Sequence, residues 1–379
     1  MKLAPLYNEL KNRDGYQPLV VHTGQHYDRQ MSDIFFDQLG LPKPDIHLGI
    51  GSGTHGLQTG KILMEIERVL FEEKPDMVVV FGDVNSTLAA ALAAVKLEIP
   101  VAHVEAGLRS NDWSMPEEIN RIVADRLSTL LFTTCEDANV NLMREGAEEN
   151  RVHFVGNIMI DSLSNYISTL DNVDNSSLPD VKKGKYILVT MHRPGNVDNE
   201  ENLKKTVQML DGLTDLAPVV FPVHPRTRKK LIEFELADSN NNLLEKENLH
   251  LTEPLGYLEF IRLERDAAVV VTDSGGVQEE TTFLGVPCLT VRPNTERPVT
   301  ITDGTNELVG LDPERVIRLA EIHLSTSVTE KKCPLLWDGR TAGRIADVLD
   351  RFFDMTPEER TEKQSISTEK SSEQKLIRS

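Results

Sequence analysis

Short apolar runs alternate with longer stretches of helical periodicity along most of the chain. In its first half, apolar runs that predict buried strands fall at residues 17–24, 77–83, 99–107, 130–135 and 151–157. Between them, residues 52–73 and 86–98 repeat apolar positions at helical spacing. This rhythm is typical of a parallel sheet whose strands are joined by crossover helices.

The pattern pauses in the polar stretch 171–185 and then begins again. Further strands are predicted at residues 185–193, 217–226, 249–254, 267–275 and 286–292. We therefore predict an α/β protein with two doubly wound domains and a boundary near residue 160. Residues 337–353 predict a last amphipathic helix, and a tail poor in large apolar residues is predicted to be disordered.

The start of the chain departs from this pattern. Residues 3–12 predict a helix, whereas a doubly wound domain normally opens with a strand. We therefore expect that one strand of the first domain is missing from the sequence.

Composition excludes several classes of protein. The net charge of −19 argues against a nucleic-acid partner, which would need a basic face. No apolar run approaches the roughly 18 residues of a membrane span, and the N-terminus lacks the apolar segment of a signal peptide. Cys135, Cys288 and Cys333 do not have metal-ligand spacing, so we expect no metal site and a reducing compartment.

The segment TDSGGVQEE begins where a predicted strand ends, which is where parallel sheets place ligands. Ser274, Gly275 and Gly276 open a helix there, and the free N–H groups of a helix start attract anions such as phosphate. Glu280, further along the helix, is suited to accept hydrogen bonds from ribose hydroxyls. The alternative is a solvated first helical turn, in which acidic residues are favoured by the helix dipole.

Three carboxylates follow other strands or open helices, and each has an ordinary alternative. Asp83 directly follows a predicted strand, where a parallel sheet places ligands, or it is the N-cap of a helix. Glu105 lies at an apolar strand end, where desolvation suits a general acid or base, or it forms a salt bridge to Arg109. Glu117, after Pro116, adds a third carboxylate or belongs to an unremarkable helix start.

Two basic pairs follow strands in the second domain. His192 and Arg193 combine a proton carrier with a phosphate-binding guanidinium, and His224 and Arg226 repeat that chemistry. Either pair also suits a structural role. Their spacing does not match a zinc site.

Taken in order, nine motifs resemble those of the non-hydrolysing UDP-N-acetylglucosamine 2-epimerases, most closely the archaeal type with GSGxHGxQTG. The motifs are TGQHYD, GDVNST, HVEAGLRS, PEEINR, GNIMIDSL, HPRT, TDSGGVQEE, TERP and GTNELVG, and the resemblance covers roughly residues 1–355.

The resemblance implies two Rossmann-like domains in the GT-B arrangement, over 1–160 and 161–336, with the active site in the cleft between them. Helix 337–354 would join the first domain, and 355–379 would follow as the tail. It also implies a cytoplasmic homodimer that converts UDP-GlcNAc to UDP-ManNAc for polysaccharide or glycan synthesis. The reaction would eliminate UDP and add it back, without a metal or nicotinamide cofactor.

The resemblance also carries roles onto individual residues. Asp83, Glu105 and Glu117 become the acid–base candidates, and His192 contacts the diphosphate or assists the departure of UDP. Further contacts to UDP fall on Lys2, Arg121, Arg193, Leu255, Phe260, Ser274, Gly275, Gly276, Glu280 and Arg297. A second, allosteric nucleotide-sugar site of some members would include Gln25, Gln58 and His224.

Several positions depart from the family pattern. The opening strand and its Gly-Thr-Arg-Pro-Glu loop are absent, which we attribute to a mis-assigned start codon, with true truncation as the alternative. Gly195 and Val299 stand where the family has Glu, and Val84 stands where it has Thr. These departures leave rival hypotheses open: an epimerase of a related UDP-acetamido sugar, a non-catalytic UDP-sugar-binding homologue, and a GT-B glycosyltransferase.

Overall fold

The computed structural model describes residues 1–24, 41, 43–173, 178–237, 243, 246–326 and 332–354. The chain divides into two compact units. Unit 1 takes in Met1–Arg29, Leu41–Ser162 and Asp338–Ser379, and unit 2 takes in Gln30–Gly40 and Leu163–Trp337. Gln25 and the tail predicted at 355–379 lie outside the described residues.

Six strands are described in unit 1: β1 Val21–His22, β2 Ile46–His47, β3 Val78–Phe81, β4 Val101–Ala106, β5 Leu130–Thr133 and β6 Val152–Phe154. The strands β3, β4, β5 and β6 pair in that order into one sheet, while β1 pairs with β2. Its helices are Leu3–Lys11, His55–Glu73, Asn85–Lys96, Pro116–Leu127, Glu136–Arg144 and Thr341–Asp354, with a 3-10 turn at Glu149–Arg151.

Helices cover both faces of this sheet. On one face, Leu6 and Ile345 pack against Val104 and Phe132 of the sheet. On the other face, the alanine-rich helix Asn85–Lys96 packs closely, because its small side chains let the helix approach the strands. Strand β4 is buried at every position, as expected for a parallel strand covered on both sides, and its buried residues include the polar His103 and Glu105.

The last helix packs within unit 1. Arg13 pairs with Asp347 and Asp350 of that helix, and the Tyr16 hydroxyl donates to Asp350 at 2.7 Å. The Asp161 carboxylate accepts the backbone N–H groups of residues 341 and 342, which are the unpaired donors of the helix start. The helix Ile158–Ile167, which carries Asp161, contains the boundary between the units.

The described part of unit 2 forms a six-stranded parallel sheet with the order β12–β11–β10–β7–β8–β9. Its strands are β7 Ile187–Thr190, β8 Val219–Pro222, β9 Leu249–Thr252, β10 Val269–Thr272, β11 Cys288–Thr290 and β12 Asn306–Leu308. Its helices are Pro194–Val197, Glu200–Thr214, Pro225–Glu233, Tyr257–Asp266, Gly275–Leu284, Val299–Thr302 and Pro313–Ser325, with a 3-10 turn at Leu170–Asn172. Across the described segments of both units, the helices are too short or too polar to cross a bilayer.

Candidate active site

Glu105 lies at a distorted end of β4. The register of β4 against β5 shifts between Val104 and Ala106, and Glu105 has a φ of +75°, which is unusual for a residue with a side chain. Gly107 follows at φ +80°, and a Cβ there would lie 2.5 Å from the carbonyl oxygen of Ala138. The bulge therefore depends on glycine at position 107. The bulge in turn sets the direction of the Glu105 side chain.

The buried Glu105 carboxylate forms an ion pair with Lys2. The alternative expectation, a salt bridge to Arg109, is wrong. Arg109 pairs with Asp125 at 2.8 Å and with Glu145 at 2.6 Å. Lys2, predicted as a substrate contact, is thus placed at the carboxylate predicted for acid–base chemistry.

Asp83 follows β3 at the same edge of the sheet and pairs with the Arg121 guanidinium. Val84, rather than Asp83, is the residue that precedes the helix Asn85–Lys96, so the N-cap alternative for Asp83 is wrong. Arg121 also binds Glu118 at 2.7 Å. The structure therefore places Arg121, predicted to contact UDP, between two carboxylates of its own unit.

Glu117 and Glu118 open the same helix but differ in their surroundings. Glu118 is 1% exposed and accepts the backbone N–H groups of Ser110 and Asn111 at 3.0 and 2.8 Å, so it holds the preceding loop. Glu117 is half-buried, and among the described residues its carboxylate makes neither a hydrogen bond nor an ion pair. Glu117 is therefore a carboxylate that is available to a ligand.

A chain of buried amides connects Gln58 to Asp83. The Gln58 amide donates to the Gly51 carbonyl at 2.9 Å and accepts from Asn85 at 2.8 Å. Asn120 donates to the Asp83 carbonyl at 2.9 Å and to Asn85 at 3.2 Å. Both ends of the Gln58 amide are thus engaged within unit 1, and its predicted regulatory role stays a prediction.

In unit 2, Asp273 organises the turn that carries His192. This wholly buried carboxylate accepts the backbone N–H groups of His192 and Arg193 at 3.0 and 2.8 Å. It also lies 3.2 Å from Nδ1 of His192, which leaves Nε2 of that ring for a ligand. Asp273 was not among the predicted site residues, although it directly follows β10, where a parallel sheet places ligands.

His192 and His224 face each other with ring centroids 5.6 Å apart. Burial lowers the pKa of both rings, and the charge of Asp273 opposes that shift only in part. Nδ1 of His224 accepts the backbone N–H of Arg226, so it caps the helix Pro225–Glu233. The structure brings these two predicted residues together, although they were assigned to different sites.

The turn after β10 has the features of an anion site. Ser274 precedes the helix Gly275–Leu284, whose first turn contains no acidic residue to oppose an anion. A Cβ on Gly276 would meet no other described residue within 4 Å, so there is open space beside it for a ligand. Nε of Arg193 is buried and has no hydrogen-bond partner in the described part of the chain, which suits contact with a phosphate.

Gly275 is needed for a different reason. A Cβ there would lie 2.6 Å from Nη1 of Arg297 and 2.9 Å from Oε1 of Glu296. Arg297 is buried, and it pairs with Glu296 and with Glu279. The charges of Arg297 and Arg292 hold the pKa of the Glu296 carboxyl well below its usual range, against the effect of burial. Arg297, predicted to contact UDP, lies directly behind the glycine turn.

Glu280 lies on the same helix and is 4% exposed. Burial raises the pKa of its carboxyl to about 8, with a further contribution from Glu279 and an opposing hydrogen bond from Tyr257. Leu255 and Phe260, predicted to contact the base, are half-buried and pack against the apolar cluster of the same sheet face. Unit 2 therefore contains most of the residues predicted to bind UDP.

The fold is that of a two-unit α/β protein of the GT-B type. Unit 1 contains ionisable groups suited to proton transfer, and unit 2 contains a turn with the features of an anion site. The profile of the UDP-N-acetylglucosamine 2-epimerase family matches residues 8–350. The chain belongs to this family, so it is an epimerase, and the predicted fold class is confirmed.

Similar proteins agree with this assignment. A UDP-N-acetylglucosamine 2-epimerase of Methanocaldococcus jannaschii is 46% identical over 92% of this chain and 95% of its own length. The crystal structure of the M. jannaschii enzyme in complex with UDP-GlcNAc and UDP superposes with a TM-score of 0.84 at 45% identity, over 92% of this chain and 96% of the other. A UDP-2,3-diacetamido-2,3-dideoxy-D-glucuronate 2-epimerase of Pseudomonas aeruginosa is 43% identical over 88% of this chain and 91% of its own.

Proposed function

We propose that this chain interconverts UDP-GlcNAc and UDP-ManNAc by inverting C2 of the sugar. The observation that carries the proposal is the set of carboxylates in unit 1, where Asp83 and Glu105 end neighbouring strands and Glu117 opens a helix. Inversion needs one group to remove the C2 proton and a group to return a proton to the opposite face. Several ionisable groups in one unit supply both functions.

The proposed reaction is an elimination followed by an addition. A base removes the proton on C2, the C–H electron pair becomes the C1–C2 double bond, and the C1–O bond breaks to release UDP. UDP then adds back to C1 while C2 receives a proton on its other face. The steps balance without an oxidant or a reductant, so the proposal includes no cofactor.

Unit 2 is proposed to hold the UDP part of the ligand. The N–H groups at Ser274, Gly275 and Gly276 would bind phosphate oxygens, and Glu280 would accept hydrogen bonds from the ribose. The support is the open space beside Gly276 and the unsatisfied Nε of Arg193. A phosphate there would satisfy a buried donor that otherwise costs free energy.

We propose that Glu105 and Glu117 act on opposite faces of C2. Lys2 holds Glu105 in one orientation, whereas Glu117 is unpaired in the described chain and can approach from its own helix. In such a mechanism each residue is the base for one epimer. The variant E117Q should then still eliminate UDP from one of the two nucleotide sugars and fail with the other.

Proton NMR of UDP-GlcNAc with the protein in heavy water tests the function. We expect UDP-ManNAc with deuterium at C2. The matched control is E136Q, because Glu136 also opens a helix after a strand of unit 1 but is exposed. E136Q should behave as wild type and E117Q should not. A folded wild-type protein that binds UDP-GlcNAc without exchanging its C2 proton would favour the alternative of a non-catalytic binding protein.

The second candidate substrate is a UDP-diacetamido uronic acid. It is favoured by the 43% identity to the P. aeruginosa enzyme, whose name specifies that sugar. The ratio of kcat/KM for the two substrates decides between them. A higher kcat/KM for UDP-GlcNAc than for the UDP-diacetamido uronic acid supports the main proposal, and a lower value supports the alternative.

We also propose that the enzyme is a cytoplasmic homodimer that supplies a precursor for polysaccharide or glycan synthesis. Leu57, Met64 and Phe71 are 54%, 71% and 61% exposed, and they recur every seven residues on the helix His55–Glu73. Spacing of seven places them on one side of the helix, which suits packing against a second copy. Light scattering should give twice the mass of the chain, and M64E should reduce it to the monomer.

A further inference from the structure

His103 is a wholly buried histidine that the proposed mechanism does not use. It lies on β4, two residues before Glu105. Its Nδ1 is 2.6 Å from an Asp125 carboxylate oxygen, and its Nε2 is 2.7 Å from the carbonyl oxygen of Gly82. Both ring nitrogens are therefore engaged at hydrogen-bond distance.

These two contacts determine the charge of the ring. A carboxylate and a carbonyl are acceptors, and a neutral imidazole has only one N–H to donate. The other oxygen of Asp125 accepts the backbone N–H of Gly107 at 3.1 Å and pairs with Arg109 at 2.8 Å, as an ionised carboxylate does. The ring of His103 therefore donates from both nitrogens, which makes it an imidazolium.

The same contacts clamp the backbone around Glu105. Asp125 holds Gly107 on one side of the bulge, and His103 stands on the other side. The ring also holds the carbonyl of Gly82, the residue before Asp83. A Cβ on Gly82 would be 3.1 Å from Nζ of Lys2 and 3.7 Å from Oε2 of Glu105, so the clamped turn lies against that ion pair.

We propose that His103 is a positioning residue, whose permanent imidazolium fixes the turn at Gly82 and the bulge at Glu105 and adds a positive charge beside the reacting carboxylates. This inference rests on the proposed epimerase function, because only that function makes Asp83 and Glu105 reacting groups.

The charges around the ring support a lasting positive charge. Burial by itself lowers the pKa of His103, but the charge and hydrogen bond of Asp125 outweigh it, so the pKa is raised. The facing groups are Asp125 on the helix Pro116–Leu127, Arg109 after β4, and Glu105 with its partner Lys2. Removal of the imidazolium would remove one of the two cations that pair with Asp125, and the carboxylates would be in more negative surroundings.

The charge itself is tested on the wild-type protein, without reference to activity. Long-range nitrogen–proton correlation spectra of protein labelled in histidine with ¹⁵N report how many ring nitrogens carry a proton. We expect His103 to show two protonated nitrogens at pH 8, with its signal assigned by its loss in H103Q. His153, on β6, is the control in the same spectrum, because burial lowers its pKa and its Nε2 lacks a partner among the described residues. A single protonated nitrogen on His103 would overturn the proposal.

The functional consequence is tested by the dependence of kcat/KM on pH for H103Q, with H153Q as the matched variant. Loss of a neighbouring positive charge should move the acidic limb of the H103Q profile upward by about one pH unit. The H153Q limb should coincide with that of wild type. A uniform loss of H103Q activity at every pH would show that the ring is structural only, and would refute the positioning role. If wild type has no epimerase activity, the proposed function fails, while the NMR result still decides the charge.

Discussion

Two adjacent glycines at the start of the helix Gly275–Leu284 should respond in opposite ways to the same substitution. Gly275→Ala places a Cβ 2.6 Å from a guanidinium nitrogen of Arg297 and 2.9 Å from a carboxylate oxygen of Glu296. Both neighbours are buried in a network of ion pairs and have little room to move. Gly276→Ala places a Cβ where no other described part of the chain, apart from its neighbours and its own helix backbone, lies within 4 Å.

The magnitudes follow from these contacts. Overpacking a buried site destabilises the folded state by about 1–3 kcal/mol, whereas alanine stabilises a helix by about 0.5–1 kcal/mol relative to glycine. G275A should therefore be destabilised by roughly 1–2 kcal/mol, which lowers Tm by about 2–8 °C for a unit of this size. G276A should be as stable as wild type or slightly more so.

The two substitutions should have the reverse effect on UDP affinity: G276A should weaken binding more than G275A. If phosphate approaches the backbone at Gly276, an added methyl group there should weaken binding at least about tenfold, equivalent to roughly 1.4 kcal/mol. Calorimetric titration with UDP and thermal melts of both variants provide the two readings. Wild-type affinity in G276A would refute the assignment of the phosphate site, and wild-type stability in G275A would refute the packing argument.

Three further predictions concern other parts of the structure. D273N should lower kcat by about 10²–10⁴, because His192 loses the carboxylate that orients it, while far-UV circular dichroism stays unchanged. G107A should lower the free energy of unfolding in urea by roughly 2–4 kcal/mol. G146A, with a similar positive φ but open space, should cost less. Since burial raises the pKa of Glu280 from 4.5 to about 8, the folded state retains a proton that the unfolded chain releases. The free energy of unfolding should therefore fall as pH rises between those values, and E280Q should reduce that slope.

Most of the fold was predictable from local patterns. Each predicted strand segment contains a strand of the structure, because a parallel strand covered on both faces needs a mainly apolar run. The pattern missed β2 and β12, which have two and three residues. Both contain polar residues, His47 in β2 and Asn306 and Glu307 in β12, so neither lies in an apolar run that would distinguish it from a loop.

The site was only partly predictable. The residues at strand ends were identified because parallel sheets place ligands there, and the structure groups Asp83 with Glu105 in unit 1. Their partners were not identified. The pairing of Glu105 with Lys2 instead of Arg109 depends on a helix from the start of the chain, and the roles of Asp273 and His103 depend on backbone groups far from them in sequence.

The sequence by itself determined the α/β class, the strand-to-helix turns and the family, because apolar runs, glycine turns and motif order are local properties of the chain. The tertiary structure decided which ionisable groups are paired. Glu117 and Glu118 are adjacent and chemically identical. Glu118 is buried and accepts several hydrogen bonds, whereas Glu117 makes none within the described residues. His192 likewise owes its orientation to Asp273, 81 residues away along the chain. The charge and direction of a side chain depend on burial and on partners that only folding brings within hydrogen-bond distance.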